Sequence, residues 1–149
     1  RSLVGSDAAI ITMGDHGVVE PTKNITLAMK ASGIKRIEIL TGFGTSSESR
    51  RQLDLRMRTV MTLMRPMLLT KERQDKIIRQ SGLVYTIVQP PTLTFGPATG
   101  ASRYGDYANK SINGHTSRSA VASSIVTNIR PHPSVHASVS FPASFARHA

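Results

Sequence analysis

The sequence lacks cysteine entirely, and it also lacks any long apolar run. Without thiolates the 149 residues cannot build a disulfide scaffold, a zinc ribbon or an iron–sulfur site, and this composition suits a reducing compartment. The longest apolar run covers only residues 8–11, which is far too short to span a membrane. No secretory signal follows Arg1. We therefore expect a cytoplasmic protein without a membrane partner.

Acidic residues are scarce as well. The chain has 9 Asp and Glu against 19 Lys and Arg, a formal charge of +10. Nine of the basic residues and three acids fall between Arg50 and Arg79. A basic helical face can attract nucleic-acid phosphates, which is one hypothesis for this stretch. Because the stretch has no interleaved aromatic residue and no recognition-helix motif, we favour a solvated helical face and do not expect a nucleic-acid partner.

Several motifs of catalysis are missing. The sequence has no Gly-x-Ser-x-Gly elbow and no phosphate-binding loop ending in Gly-Lys-Ser/Thr. None of the three tyrosines is followed four residues later by a lysine, so the proton-donating dyad of short-chain dehydrogenases is absent. His132 and His136 have no third ligand nearby, and no metal site is predicted. Catalytic residues therefore stay unassigned.

What the sequence does contain is an alternation of strand-like and helix-like segments. A short apolar run at residues 7–13 is typical of a strand buried on both faces, and residues 36–40 and 83–88 are two further β-like runs. A helix is predicted from Pro21 to a C-terminal capping glycine at Gly33. This alternation predicts an α/β fold with a parallel sheet and right-handed crossovers.

Three more helices and an edge strand complete the prediction. The first is a helix whose apolar stripe packs on the sheet and which Pro66 interrupts; its stripe is Leu53, Met57, Val60, Met61 and Met64. The second is capped by Thr70 and runs through Gln80, and the third begins at Thr116 or Ser117. An edge strand is expected around residues 138–141 within a proline-rich tail.

A ligand site is expected where the strands end, because parallel sheets bind ligands at their carboxyl edge. Small or backbone-exposing residues follow each strand, at 13–14, 41–44 and 89–92. The Gly42-Phe43-Gly44 turn partly matches a phosphate-binding fingerprint, but Ser47 occupies the position of the third glycine. An ordinary turn between a strand and a loop is the alternative interpretation.

These segments carry a family resemblance. Residues 70–100, TKERQDKIIRQSGLVYTIVQPPTLTFGPATG, resemble the last helix–strand–loop unit of atypical short-chain dehydrogenase/reductases, most of all the NmrA-like NAD(P)-binding proteins and the biliverdin-IXβ/flavin reductases. GSDAAIITMG is similar to the fourth strand of that family, and MKASGIKRIEILTGFG to its next helix and fifth strand. SINGHTSRSAVASSIV is similar to a helix near its end, with Ala120 in place of an aspartate.

The resemblance implies a Rossmann-like parallel sheet that lacks the first strands of the doubly wound fold. The glycine-rich turn of the family has no counterpart here, so about two βα units, on the order of 60 residues, would be absent. We expect residues 1–130 to be the C-terminal part of an NAD(P)-binding domain and residues 131–149 to be an irregular tail. A start at Arg1 rather than at Met agrees with truncation.

The resemblance also implies cofactor-binding residues for NADP or NAD. Met13 and Gly14 would line the ribose, and Lys71, expected at the start of its helix, would reach a ribose hydroxyl or a phosphate. The other implied residues are Thr41, Gly42 and Phe43 under the nicotinamide riboside, and Pro90, Pro91 and Thr92 facing its carboxamide.

The implied function is hydride transfer to a small organic acceptor. One version of this hypothesis is that the truncated chain is itself inactive. The flavin reductases have a serine and a histidine where this chain has Gly42 and Thr92, so their substrate is not implied. Two alternatives stay open: a non-catalytic module that senses NAD(P) or binds a protein, and nucleic-acid binding through the basic helix. The oligomeric state is not predicted.

Overall fold

A computed structural model describes residues 3–14, 17–42, 44–45, 50, 55–90, 92–98, 115–129 and 137–140. Its elements alternate along the chain as the sequence predicts. In order they are β1 (Ala8–Ile11), α1 (Val19–Ala31), β2 (Arg36–Leu40), α2 (Leu55–Leu63), α3 (Arg65–Gln80), β3 (Val84–Gln89), β4 (Thr92–Thr94), β5 (His115–Ser117), α4 (Arg118–Ile129) and β6 (Ala137–Ser140). Among these described helices, none is long and apolar enough to cross a membrane.

The main sheet has four strands in the order β1-β2-β3-β6, and every pairing is parallel. Ile11 pairs with Ile39, and Leu40 pairs with Val88, so the first three strands end at one edge. The predicted α/β fold with a Rossmann-like parallel sheet is confirmed. The domain boundary at residue 130 stays a prediction; β6 lies beyond it and pairs with β3.

Helices cover both faces of the sheet. On one face α1 and α3 enclose the main core, whose buried side chains are Ile11, Met29, Ile34, Ile37, Ile39, Ile78, Leu83 and Ile87. On the other face Val88 packs with Val121 and Ile125 of α4. Because side chains alternate between the faces of a strand, Ile37 and Ile39 of β2 lie in the main core, while Ile87 and Val88 of β3 belong to the clusters on opposite faces.

The C-terminus of α1 follows the glycine prediction closely. Gly33 has φ of 74°, a left-handed conformation that favours glycine. The N–H of Gly33 donates to the carbonyl of Lys30, and that of Ile34 donates to the carbonyl of Met29 at 2.9 Å. This pair of bonds is a Schellman motif, and it satisfies two carbonyls that the helix leaves free.

The start of α3 differs from the prediction. The helix begins at Arg65 and runs through Thr70 without a cap there, and Pro66 lies in its first turn. Proline is tolerated in a first turn because the N–H that it lacks has no acceptor there. Pro66 therefore separates α2 from α3 and starts the second helix rather than ending the first.

The stripe predicted on α2 is also partly wrong. Val60 and Met64 are each 41% exposed and do not form core. Met61 is half-buried beside Gly44, where an added Cβ would lie 3.2 Å from Sδ of Met61. Leu53 and the side chain of Met57 lie outside the described residues.

A second, two-stranded parallel sheet was not predicted. It pairs β4 with β5, and Thr92 lies opposite His115. Three-residue strands carry too little periodicity to be recognised in a sequence. The cap predicted at Ser117 is confirmed, since its Oγ accepts the N–H of Ala120 at 3.1 Å in the first turn of α4.

Candidate functional site

The carboxyl ends of β1, β2 and β3 meet at one edge of the main sheet, which we call the strand-end edge. Met13 and Gly14 follow β1, and Thr41 and Gly42 follow β2. Pro90 and Thr92 follow β3, and Phe43 and Pro91 lie outside the described residues. The N–H of Thr41 donates to the carbonyl of Val88 at 2.9 Å, so pairing continues to the last residues of the strands. The parallel register thus brings the described candidate residues on these strand ends to one side of the molecule.

Lys71 reaches this edge from within α3. It is the seventh residue of α3, so its expected place at a helix start is wrong, and its side chain is 4% exposed. Its Nζ donates to the carbonyl oxygen of Met13 at 3.0 Å. A buried ammonium is stable only with polar partners, so this contact fixes a positive charge beside the end of β1.

Lys71 owes its position to the packing of α3 on α1. Gln74, which is fully buried, donates from Nε2 to Oγ1 of Thr22 at 3.0 Å. That hydroxyl donates in turn to the carbonyl of Val18 at 2.6 Å. Because this link lies one helical turn from Lys71, it holds the facing side of α3 against α1.

A second buried polar link joins the ends of β2 and β3. Gln89 and Thr45 are each 1% exposed, and Nε2 of Gln89 donates to Oγ1 of Thr45 at 3.0 Å. The Thr45 hydroxyl lies 2.8 Å from the carbonyl of Gly42, to which it donates. The hydroxyl of Thr41 is 3.4 Å away. The link fixes the chain that follows β2 above the end of β3.

The sequence places Gln89 at a strand end without giving its side chain a role, and it does not single out Thr45. The one available signal is that Gln89 is a polar residue at the end of the apolar run of β3, where a buried side chain needs a partner. The sequence does not show that this partner lies 44 residues earlier in the chain.

The glycines of the strand-end edge differ in the space around them. At Gly14 an added Cβ would meet nothing within 4 Å, so a ligand can approach the backbone there. At Gly42 it would lie 3.7 Å from Cγ2 of Thr45, an ordinary contact. Gly44 has φ of 85° and the close Met61 contact, so its role is to shape the turn.

Arg50 connects the segment after β2 to α3. Its Nη1 donates to the carbonyl of Gly44 at 3.0 Å and also pairs with Oε1 of Glu72. Nε of Arg65 lies 4.0 Å from the same carboxylate. Because Glu72 follows Lys71 directly in α3, these contacts connect Gly44 and Arg50 to the part of α3 that carries the buried lysine.

The described tyrosine lies away from this edge. Tyr85 is the second residue of β3, packed beside the main core, and the guanidinium carbon of Arg79 is 5.9 Å from its ring centroid. Tyr104 and Tyr107 lie outside the described residues, as do His132 and His136. Tyr85 is therefore not placed to serve as the proton donor of a strand-end site.

Glu38 is a buried carboxyl of the sheet whose pKa departs from its ordinary value. It is fully buried in the middle of β2, and burial raises the pKa of its carboxyl above the ordinary value, although Arg36 opposes this rise. Nη2 of Arg36 lies 3.4 Å from Oε1 of Glu38 and also donates to the carbonyl of Asn128 in α4. The pair connects β2 with the last turn of α4, so its role is structural.

Comparison with known proteins gives a family and a fold. A family model described as NAD(P)H-binding matches residues 1–131. Among solved structures, ChuY from Escherichia coli O157:H7, described as an anaerobillin reductase, is 22% identical with a TM-score of 0.76 over 95% of this chain. The oxidoreductase YlbE from Lactococcus lactis is 21% identical with a TM-score of 0.74 over 96%.

A third similar structure was determined with a nucleotide bound. It is a short-chain dehydrogenase/reductase (wide type) from Veillonella parvula DSM 2008 in complex with NADP, 15% identical with a TM-score of 0.77 over 99% of this chain and 67% of its own. The chain spans 66% of the length of ChuY and 64% of that of YlbE. At these identities the structures share the fold with this chain.

Proposed function

Since the chain belongs to the NAD(P)H-binding family, we propose that its strand-end edge forms the nicotinamide half of a site for NADP or NAD. The whole protein would be an NAD(P)-dependent oxidoreductase of the atypical short-chain type, NmrA-like and cytoplasmic. The residues that would line the cofactor are Met13, Gly14, Thr41, Gly42, Phe43, Lys71, Pro90, Pro91 and Thr92.

One observation carries this proposal: the bond from Nζ of Lys71 to the carbonyl of Met13, 3.0 Å long and buried. It places a cation at the end of a parallel strand, beside the open backbone of Gly14. Ribose hydroxyls and phosphates both accept hydrogen bonds from ammonium groups. The donors present therefore fit the sugar end of a nicotinamide nucleotide.

The cofactor would supply the hydride chemistry, and the chain would supply binding and orientation. Gly14 leaves room for a flat ring to approach the backbone. The Gln89–Thr45 link holds the residues after β2 in place beneath it. Buried Pro90 excludes water from the end of β3. We propose a small organic molecule as the acceptor, and the similarity to ChuY supports a reductive direction.

The pyrophosphate half of the site would come from chain outside these 149 residues. β1 lies at one end of the described strand order, and Ile10 in its middle is 46% exposed. We propose that a further strand pairs there and that residues 1–130 are the C-terminal part of the domain. The share of ChuY and YlbE that the chain spans supports this proposal.

A second candidate is a cofactor sensor without turnover. It is favoured by the place of Tyr85, which packs beside the core rather than at the strand-end edge. In that case NADP or NAD would bind and change the contacts of the protein with a partner.

The test is a titration of the whole protein, including the part that would hold the pyrophosphate, with NADPH and NADH, monitored by calorimetry. Saturable binding of either nucleotide that weakens in Lys71→Met supports the proposed site. Flat titrations with both nucleotides, for a whole protein whose circular dichroism shows a folded state, would contradict it. Oxidation of NADPH with a panel of carbonyl, quinone and flavin acceptors distinguishes the two candidates, because a sensor binds without turnover.

A further inference from the structure

One face of α2 is exposed, with a leucine at each end and an arginine between them. Leu55 and Leu63 are 79% and 84% exposed, and both line a shallow cavity of about 630 Å³. The other described lining residues are Arg58, Thr59 and Thr62. The five lie at positions i, i+3, i+4, i+7 and i+8, so they form one continuous face of the helix, which we call the outer α2 face.

The outer α2 face is turned away from the strand-end edge. Met61 contacts Gly44 on the inner side of α2. Thr59 lies in the middle of the cavity lining. It is two residues from Met61, which corresponds to about 200° of rotation around the helix, so the two side chains point in nearly opposite directions. The cavity is therefore distinct from the proposed cofactor site, and a ligand there would leave the nicotinamide half free.

The charge around this face is mainly positive, although the carboxylate of Glu72, which pairs with Arg50, lies 4.0 Å from Arg65. Between residues 55 and 70 the sequence has Arg56, Arg58 and Arg65 and no acid. All three arginines are exposed. A second copy of the chain would bring like charges together at this face, whereas an acidic partner would neutralise them.

The polar residues of the face indicate what kind of acidic partner fits. The Oγ1 atoms of Thr59 and Thr62 donate to the carbonyls one turn back, at 3.0 and 2.7 Å, and each oxygen keeps lone pairs to accept. Arg58 brings further donors. Lipid hydrocarbon would leave these groups without partners, but a peptide with carboxylates and polar side chains would satisfy them.

We propose that the outer α2 face binds an amphipathic acidic helix of a partner protein. Leu55 and Leu63 lie about 12 Å apart along the axis, the length of roughly two helical turns. They would contact the apolar stripe of the partner, and Arg56 and Arg58 would pair with carboxylates beside that stripe. This mode is a helix packed on a helix face through anchors at its two ends.

The test uses a dye-labelled helical peptide of about 16 residues with a leucine stripe flanked by glutamates. Fluorescence anisotropy should show saturable binding that weakens as salt rises. Arg58→Glu and Leu63→Glu should each weaken binding by roughly tenfold. Two matched controls, Leu27→Glu on α1 and Arg73→Glu on α3, change an exposed leucine and an exposed arginine elsewhere and should leave binding unchanged.

Four results would overturn the proposal. The first is no binding of the acidic peptide. The second is equal binding of a peptide with lysine in place of glutamate. The third is equal loss in the two control variants, which indicates general charge attraction. The fourth is binding to phosphatidylserine vesicles or to a second copy of the chain, rather than to the peptide, that is lost in Leu63→Glu. Both α2 substitutions are at exposed positions, and circular dichroism checks that each variant is folded.

Discussion

Gln89 and Thr45 are linked by a buried hydrogen bond of 3.0 Å that joins the end of β3 to the chain after β2. The bond spans two of the three strand ends that form the candidate site. A loop fixed in this way keeps Gly42 in one position, whereas a free loop would lose entropy on binding a ligand. The link is thus a positioning device for the proposed nicotinamide pocket.

The first prediction concerns this link. Gln89→Leu should lower the free energy of unfolding by about 1–3 kcal/mol, because it removes the donor and leaves the buried Thr45 hydroxyl with fewer partners. Urea denaturation of the wild-type chain, Gln89→Leu, Thr45→Val and the double variant forms a cycle. A coupling energy of about 1 kcal/mol is expected, and simple additivity would show that the link contributes nothing.

How far the sequence predicts this molecule depends on how local each feature is. The Gly33 cap and the Ser117 cap depend on neighbours within one turn, and the sequence predicts both. The strand-like runs predict the sheet, because each is too short for a helix of ordinary length and is rich in β-branched residues. By contrast, Lys71 contacts Met13 across 58 residues and Gln89 contacts Thr45 across 44, and no periodicity encodes such contacts.

The start of α3 shows a different limit. The sequence places the break near Pro66 correctly, but the same proline can end one helix or begin the next. In the structure Pro66 lies in the first turn of α3, so it begins the second helix. The exposed side of α2 is a similar case, because an apolar stripe on a helix does not show whether a sheet covers it.

The second prediction concerns Lys71. Lys71→Met keeps most of the side-chain length and removes the cation beside Met13, so the affinity for NADPH should fall by about tenfold, the loss of roughly one charged hydrogen bond. The matched control is Lys76→Met, which neutralises an exposed lysine on the same helix. Calorimetric titration gives both dissociation constants. Equal affinities for the two variants would remove Lys71 from the site.

The third prediction separates two effects of a glycine. Gly44 and Gly82 both have positive φ, 85° and 72°, so alanine at either position should cost about 1–2 kcal/mol of stability. An added Cβ at Gly82 meets nothing, while at Gly44 it would displace Met61 and the turn after β2. Gly44→Ala should therefore also weaken nucleotide binding, and Gly82→Ala should not. Thermal unfolding and nucleotide titration of both variants measure the two effects, and unchanged affinity in Gly44→Ala would contradict the role of the turn.

The fourth prediction is a pH dependence that arises from Glu38. Burial raises the pKa of its carboxyl in the folded chain, and Arg36 on the same strand only partly offsets this rise. The paired positions on the neighbouring strands are Ile10 and Thr86, which do not titrate. As the pH rises past the ordinary pKa of a glutamate, the unfolded chain releases the proton first. Stability should therefore fall with rising pH until the pH passes the raised pKa of the folded state.

Glu38→Gln tests that sign directly. The amide keeps the shape of the side chain and stays neutral, so the variant should lose this fall in stability and unfold at a higher temperature than the wild type at neutral pH. Glu20→Gln is the matched control, because Glu20 is an exposed partner of Lys23 and its exposed ion pair contributes little. Thermal melts from pH 4 to 8 measure both variants. If Glu38→Gln keeps the wild-type pH slope, the carboxyl of Glu38 is not the group responsible, and if stability rises with pH in the same window, the direction assigned to its pKa is wrong.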